Sequence, residues 1–279
     1  MIQGHKISVI IIGSRLEWGC YPYIEMIKSF LSIVDEVVVM FDVAVRDDGS
    51  RQKIEAIGDK KIRLISSLFS VDQGGWGAVG MTVTHGYHAA TGDIILKVDA
   101  DGVLHEKDQG LLVKDINNFI NQRFATGYWG KNKIYRPNLY YSQYKHSGIY
   151  NKRLLGDRFD YFRVEGTRIK GAPNFMRLNE KEQHSLQFDT TLYGYEHVWD
   201  TLDVIKEKLE RFGRMIDDYY HRPFKTADEY YEAYETELIA SLKVKGKSMS
   251  LQEHPAIMQE KLKGLTEQQH GFSFFNFKV

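Results

Sequence analysis

The first hundred residues alternate short β-branched runs with segments of helical period, and few folds accept that alternation. Residues 7–12 are a β-branched run broken only by Ser8, as expected of a strand covered on both faces. Pro22 suits the first turn of a helix, and Ile24, Ile27, Leu31 and Val34 follow at helical spacing. Strands are expected at 36–41, 61–65 and 93–98, with a helix at 81–90 stopped by Thr91 and Gly92. A β-α-β-α-β order with buried strands predicts an α/β fold: a Rossmann-like, mainly parallel sheet flanked by helices. Ligands of such sheets bind beyond the carboxyl ends of the strands. Gly13-Ser14-Arg15, Asp42 and Asp99-Ala100-Asp101 all fall there.

After Asp101 the pattern changes. Leu112, Ile116, Phe119 and Ile120 mark one amphipathic helix, and a basic, aromatic region of short strand-like pieces follows. Helix returns from Asp200, with Ile205, Leu209, Phe212 and Ile216 on one face, then Tyr231, Tyr234, Leu238 and Leu242 on another. His254-Pro255 opens a last short helix. Three parts are expected: a ligand-binding half at 1–104, a second half of the same domain at 105–199, and a C-terminal helical extension at 200–279. The aromatic tail at 272–277 is expected to dock on the body or on a second copy, making a homo-oligomer.

Composition narrows the function classes. Lys and Arg total 37 against 37 Asp and Glu, so there is no overall excess to hold nucleic acid. No apolar run approaches the roughly 18 residues of a membrane span. A single cysteine, Cys20, excludes an internal disulfide framework and a multi-cysteine zinc site. With no secretory signal visible at the start, a cytoplasmic setting is expected. There is no Gly-x-x-x-x-Gly-Lys-Ser/Thr loop, which argues against a P-loop nucleotidase.

Asp99-Ala100-Asp101 sets two carboxylates on one side of an extended backbone, a hard-oxygen pair suited to Mn²⁺ or Mg²⁺. The window from Ala90, Thr91, Gly92 and Asp93 through the strand to Asp99, Ala100, Asp101 and Gly102 resembles nucleotide-sugar glycosyltransferases of the GT-A fold, family-2 type. Gly86, the opening strand and the second strand at 36–39 extend the resemblance over residues 6–104. It implies transfer of a sugar from a nucleoside diphosphate, such as UDP, with a Mn²⁺ or Mg²⁺ cofactor and inversion at the sugar. Gly13, Ser14 and Arg15 would then edge the nucleoside pocket, and Asp42 would contact the base or ribose. Asp99 would face the ribose or metal, and Asp101 would bind the metal. Two departures stand out. Thr82-Val83-Thr84 replaces the family's Ala-Arg-Asn, and Asp47-Asp48-Gly49-Ser50 lies five residues beyond Asp42, where it reads as a surface turn.

Four further features carry expectations. The glycine-rich stretch at 74–80 is either a loop covering the donor with Trp76 or a plain connection. His197 is either a third metal ligand or a hydrogen-bonded structural histidine. Glu165, then Asp160, are the candidates for the catalytic base that takes the acceptor proton. Between Arg123 and Arg177 twelve Lys/Arg stand against three acids, interleaved in the first part with eight aromatics. That segment, with Lys131, Lys133 and Arg136, is expected to form the acceptor face. The acceptor is a polyanion such as hydroxymethylated DNA, or a glycan or lipid-linked saccharide. The rival from another class is a catalytically silent binding module on the same fold.

Overall fold

The computed structural model describes residues 1–42, 48–67, 71–136, 138–165, 168–171, 184–195, 197–220 and 226–265. In the first half β1 (Ile7–Gly13), α1 (Tyr23–Phe30), β2 (Glu36–Asp42), α2 (Ser50–Glu55), β3 (Ile62–Ser67), α3 (Val71–Ala89) and β4 (Ile94–Lys97) follow in order. The second half runs β5 (Gly102–Val103), α4 (Gln109–Asn121), β6 (Thr126–Arg136), β7 (Leu139–Asn151), α5 (Lys152–Leu155), β8 (Phe162–Glu165), β9 (Arg168–Gly171) and β10 (Ser185–Gly194). The rest is α6 (Leu202–Tyr220), α7 (Ala227–Lys245), β11 (Lys247–Ser248) and α8 (Ala256–Lys263).

The sheet order is β3-β2-β1-β4-β7-β6-β10-β5, with β11 added to β7 and a separate β8–β9 hairpin. The first four strands pair in parallel, as the buried apolar runs require. Beyond β4 the sheet is mixed: β7 runs antiparallel to β4 and β6, β10 parallel to β6, and β5 antiparallel to β10. The basic, aromatic region is therefore not a set of short pieces. Its first part is two long strands in the middle of the sheet, β6 and β7, and the short pieces expected are met only by the four-residue strands β8 and β9 among the described residues.

Period-two alternation sorts the strand residues onto two cores. Ile7, Val9 and Ile11 face Met26, Ile27 and Phe30 of α1 and Leu112, Ile116 and Phe119 of α4. On the other face Ile10, Val38 and Met40 meet Val79, Val83 and Tyr87 of α3. The glycine-rich stretch expected as a loop is helical, forming the first half of α3. Later in the same helix Gly86 lets the backbone lie close on the sheet: a Cβ there would come within 3.0 Å of Met40 Cγ. Trp76 belongs to that helix, and its side chain lies outside the described residues.

The Thr91-Gly92-Asp93 turn works at the opposite edge from the site. Buried Glu36 accepts Ser8 Oγ at 2.7 Å and Thr91 N at 2.8 Å, and pairs with Arg63. Gly92 N donates to Ser8 Oγ at 2.9 Å, and Asp93 accepts Lys6 N at 2.9 Å. These bonds pin β4 beside β1, so the chain leaves β4 in a defined register for Asp99. The C-terminal extension is part of the same body, since β11 pairs with β7 and Met258 and Leu262 of α8 join the main core. No helix among the described residues is long and apolar enough to cross a membrane. The tail expected to mediate oligomerisation lies outside the described residues.

Candidate active site

Adjacent strands β2, β1 and β4 deliver their carboxyl ends side by side. Asp42 closes β2 and is buried, and Ser14, just past β1, donates Oγ to Asp42 Oδ2 at 3.3 Å. Arg15 follows with φ of 49°, turning the chain away from the sheet. Its guanidinium reaches Glu207 of α6 at 3.5 Å and lies 5.6 Å from the Trp18 ring centroid. Arg211, one helical turn beyond Glu207, donates to Ser14 Oγ at 3.4 Å. Sequence reasoning missed Arg211, because no local pattern ties a residue of a late helix to the end of the first strand.

The Asp-Asp-Gly-Ser segment is more than a surface turn. Asp48 accepts the backbone N–H of Glu17 at 2.8 Å and of Trp18 at 3.0 Å, and also Ser50 N at 3.2 Å. Burial alone would raise the Asp48 carboxyl, but these donors hold it below the ordinary aspartate range. Asp48 thus fixes the loop that carries Arg15. Asp47 lies outside the described residues.

Past β4 the chain turns through Asp99, Ala100 and Asp101, closed by Gly102 N donating to Asp99 O at 2.9 Å. Asp99 keeps 32% of its side chain exposed, whereas Asp101 keeps 5%. Two lysines stand against them. Lys97 Nζ lies 2.5 Å from Asp99 Oδ1. Burial works against the Lys97 charge, yet the Asp99 carboxylate raises its pKa above the ordinary lysine value. Lys131 Nζ donates to Asp101 Oδ1 at 2.9 Å and stands 2.7 Å from Oδ2, off line for a second hydrogen bond, so Oδ2 lacks an aligned donor. The same ammonium is 3.8 Å from Asp99 Oδ2.

The expected acceptor cations therefore divide. Lys131 is buried and ion-paired rather than presented to a polyanion. Arg136 is also buried, and desolvation lowers its pKa. Both belong to a strand packed inside the sheet, where a charge cannot face solvent. Lys133 is half-buried, and regular pairing across residues 131–134 puts it on the same face as Lys131.

His197 does not join the carboxylate pair. Its Nδ1 lies 2.9 Å from Asp200 Oδ2, which also accepts Lys208 Nζ at 2.7 Å, and all three residues are buried. Lys208 Nζ is 4.1 Å from the Tyr21 ring centroid, so this cluster ties α6 to the loop after β1. Among the described residues no group of three or more His, Cys, Asp or Glu could hold a metal. What remains is a two-carboxylate site, which suits an ion that keeps waters and takes phosphate oxygens as its other ligands. Of the proposed bases, Asp160 is half-buried in the segment leading into β8, where neighbouring Tyr161 N donates to Thr84 Oγ1 at 2.8 Å. Glu165 ends β8, and its side chain lies outside the described residues. Late His254 is a structural residue, buried with its Nδ1 3.0 Å from the Tyr195 hydroxyl.

No protein-family model matches the chain, and no curated protein matches it in sequence. Similar folds occur among solved structures. TarS 1-349 of S. aureus, in complex with UDP, is 15% identical over 92% of this chain and 77% of its own, with a TM-score of 0.45. Glucosyl-3-phosphoglycerate synthase of Mycobacterium tuberculosis, in complex with Mn²⁺, UDP and glucosyl-3-phosphoglycerate, is 18% identical over 75% and 81%, with a TM-score of 0.43. The mannosyltransferase PcManGT of Pyrobaculum calidifontis, in complex with GDP-Man and Mn²⁺, is 13% identical over 80% and 66%, with a TM-score of 0.44.

Proposed function

We propose that this chain transfers a sugar from a nucleoside diphosphate to an acceptor hydroxyl. One observation carries the reading. Asp99 and Asp101 stand beyond β4 at the same sheet edge as Ser14 and Asp42, and two lysines sit among the carboxylates. In this reading the nucleoside end would lie at Asp42 and the diphosphate end at Asp99 and Asp101, with β1 between them, about 10 Å apart. In this division residues 1–104 hold the donor, 105–199 the acceptor, and α6 of the 200–279 extension closes over the nucleoside.

Breaking the bond between the sugar and the diphosphate puts negative charge on the leaving oxygens. Among the described residues, Lys97 and Lys131, beside Asp99 and Asp101, are the cations that would meet that charge. The carboxylates fit a divalent ion: Asp99 is open on one side, and Asp101 Oδ2 lacks an aligned donor. Mn²⁺ or Mg²⁺ held by Asp99 and Asp101 would neutralise the leaving diphosphate. Asp42 and Ser14 would orient the ribose or base, with Arg211 above them. Glu165 or Asp160 would accept the proton of the attacking hydroxyl, giving inversion at the sugar.

Burial of Lys131 and Arg136 removes two of the cations that favoured a polyanion. A glycan acceptor is therefore the better reading, with hydroxymethylated DNA decided by salt dependence. The direct test is a panel of UDP and GDP sugars with Mn²⁺, scored for slow hydrolysis and for thermal shift. A nucleotide sugar that both stabilises the protein and is hydrolysed supports the reading. Silence across the panel would favour a non-catalytic module on the same fold.

A further inference from the structure

We infer that Lys131 is the resident counter-cation of the Asp99–Asp101 pair, and that it must release Asp101 before a divalent ion can enter. The inference rests on the transferase reading and names how its metal site is loaded. Three observations carry it. The Lys131 ammonium spans both oxygens of Asp101 at 2.9 and 2.7 Å and approaches Asp99 at 3.8 Å, so it stands where a cation bridging the pair would stand. Asp101 keeps only 5% of its side chain exposed, so little of it beyond the lysine contact faces solvent. Finally, the lysine stem has a built channel: a Cβ at Gly194 would fall 2.1 Å from Lys131 Cε and 3.1 Å from Asp101 Oδ2.

A metal ion and an ammonium cannot share those oxygens. Mg²⁺ demands ligands at about 2.0–2.1 Å in near-octahedral array, and the ammonium fills that space. Charge points the same way, because Lys97 and Lys131 already balance Asp99 and Asp101. A bare dication would have to displace a buried ammonium from its closest carboxylate. A diphosphate changes this, since its oxygens can receive Lys131 as it swings from Asp101. Metal and nucleoside diphosphate should therefore load together. The same lysine would then hold the leaving group.

The experiment is a Mn²⁺ titration followed by electron paramagnetic resonance, on protein alone and with UDP or GDP. Wild type should bind Mn²⁺ weakly alone and about tenfold or more tightly with the diphosphate, a coupling of ordinary size. Lys131→Met should bind Mn²⁺ alone more tightly and lose most of that coupling. Gly194→Ala should do likewise while keeping the charge, because its methyl displaces the lysine stem. It remains decisive if Lys131→Met fails to fold, as circular dichroism would reveal. Equal Mn²⁺ affinity of wild type and Gly194→Ala would overturn the exchange and leave the transferase reading standing. Diphosphate binding undiminished by EDTA would also overturn it, making Lys131 a permanent substitute for the metal. No diphosphate binding under any condition would sink the transferase reading itself.

Discussion

The parallel and mixed halves of the sheet handle charge in opposite ways. In β1, β2 and β4 the interior is apolar apart from Ser8, with Val9, Val37, Val38, Val39 and Ile95 completely buried, and charged groups stand only at strand ends. In the mixed half, charge is inside. Lys131 and Arg136 sit on β6, Asp115 of α4 accepts Thr190 N at 2.8 Å, and Asp200 lies beneath α6 between His197 and Lys208. A charge at a strand end is free to serve a ligand. A buried charge must have a partner, and removing that partner leaves it uncompensated. The first half therefore presents the chemistry, while the second holds its geometry through specific pairs.

The largest effects should come from breaking those pairs. Asp101→Ala and Asp200→Ala each remove a buried lysine's closest carboxylate and should destabilise the fold by up to about 3–5 kcal/mol, measured by urea unfolding. They should differ in function. Asp101→Ala abolishes metal-supported nucleotide binding, whereas folded Asp200→Ala retains it. Stability unchanged in both variants would break the comparison, since the mixed half would then carry charge as loosely as a surface does.

Glu36 sharpens it, a buried charge at the amino end of β2, away from the site. Burial alone would raise its pKa, but Ser8, the Thr91 N–H and Arg63 hold it below the ordinary glutamate value of 4.5. A depressed folded pKa means stability present above pH 4.5 and lost as pH falls through the folded value. Glu36→Gln should cost about 2 kcal/mol at neutral pH, the scale of lost charged hydrogen bonds. The variant's unfolding curve should also flatten against pH in the acid range. A wild-type stability that rises on acidification there would refute the assignment.

This contrast explains what could be read from the sequence. Strand ends follow from apolar runs, so Asp42, Asp99 and Asp101 were legible as soon as β2 and β4 were. The expected helix at 81–90 was about half its true length, because the glycines at 74–80 discourage helix locally. In the mixed half, a lysine in a basic stretch looks the same whether it faces solvent or Asp101. Lys131 and Lys133 differ only in what β10 brings beside them. His197 illustrates the same limit: its partner Asp200 is three residues away, but Lys208 and Tyr21 complete its surroundings through tertiary contact.

At the donor pocket the expected effects are intermediate. Asp42→Ala should weaken nucleotide binding by about 1–3 kcal/mol, as for one hydrogen bond to a charged group, with little change in Mn²⁺ affinity. Asp48→Ala should act indirectly, loosening the Glu17–Trp18 backbone and lowering thermal stability along with donor affinity. Titration calorimetry with UDP or GDP separates the two. If Asp42→Ala bound nucleotide normally, the nucleoside end of the site would not lie at β2.

The smallest effect belongs to the acceptor. Lys133 is the one of the three expected acceptor cations that is not fully buried, and it shares a face with Lys131. A single partly exposed charge contributes about 1 kcal/mol or less. Lys133→Glu should therefore raise the acceptor KM only a few fold and leave donor affinity alone. With one such contact, transfer should change little between about 50 and 200 mM salt, whereas a polyanion held by six or more cations would lose at least about a thousandfold. A steep salt dependence would mean that other cations of the 123–177 segment grip the acceptor. Modified DNA would then displace the glycan, and the mixed half would have to present charge outward as well as bury it.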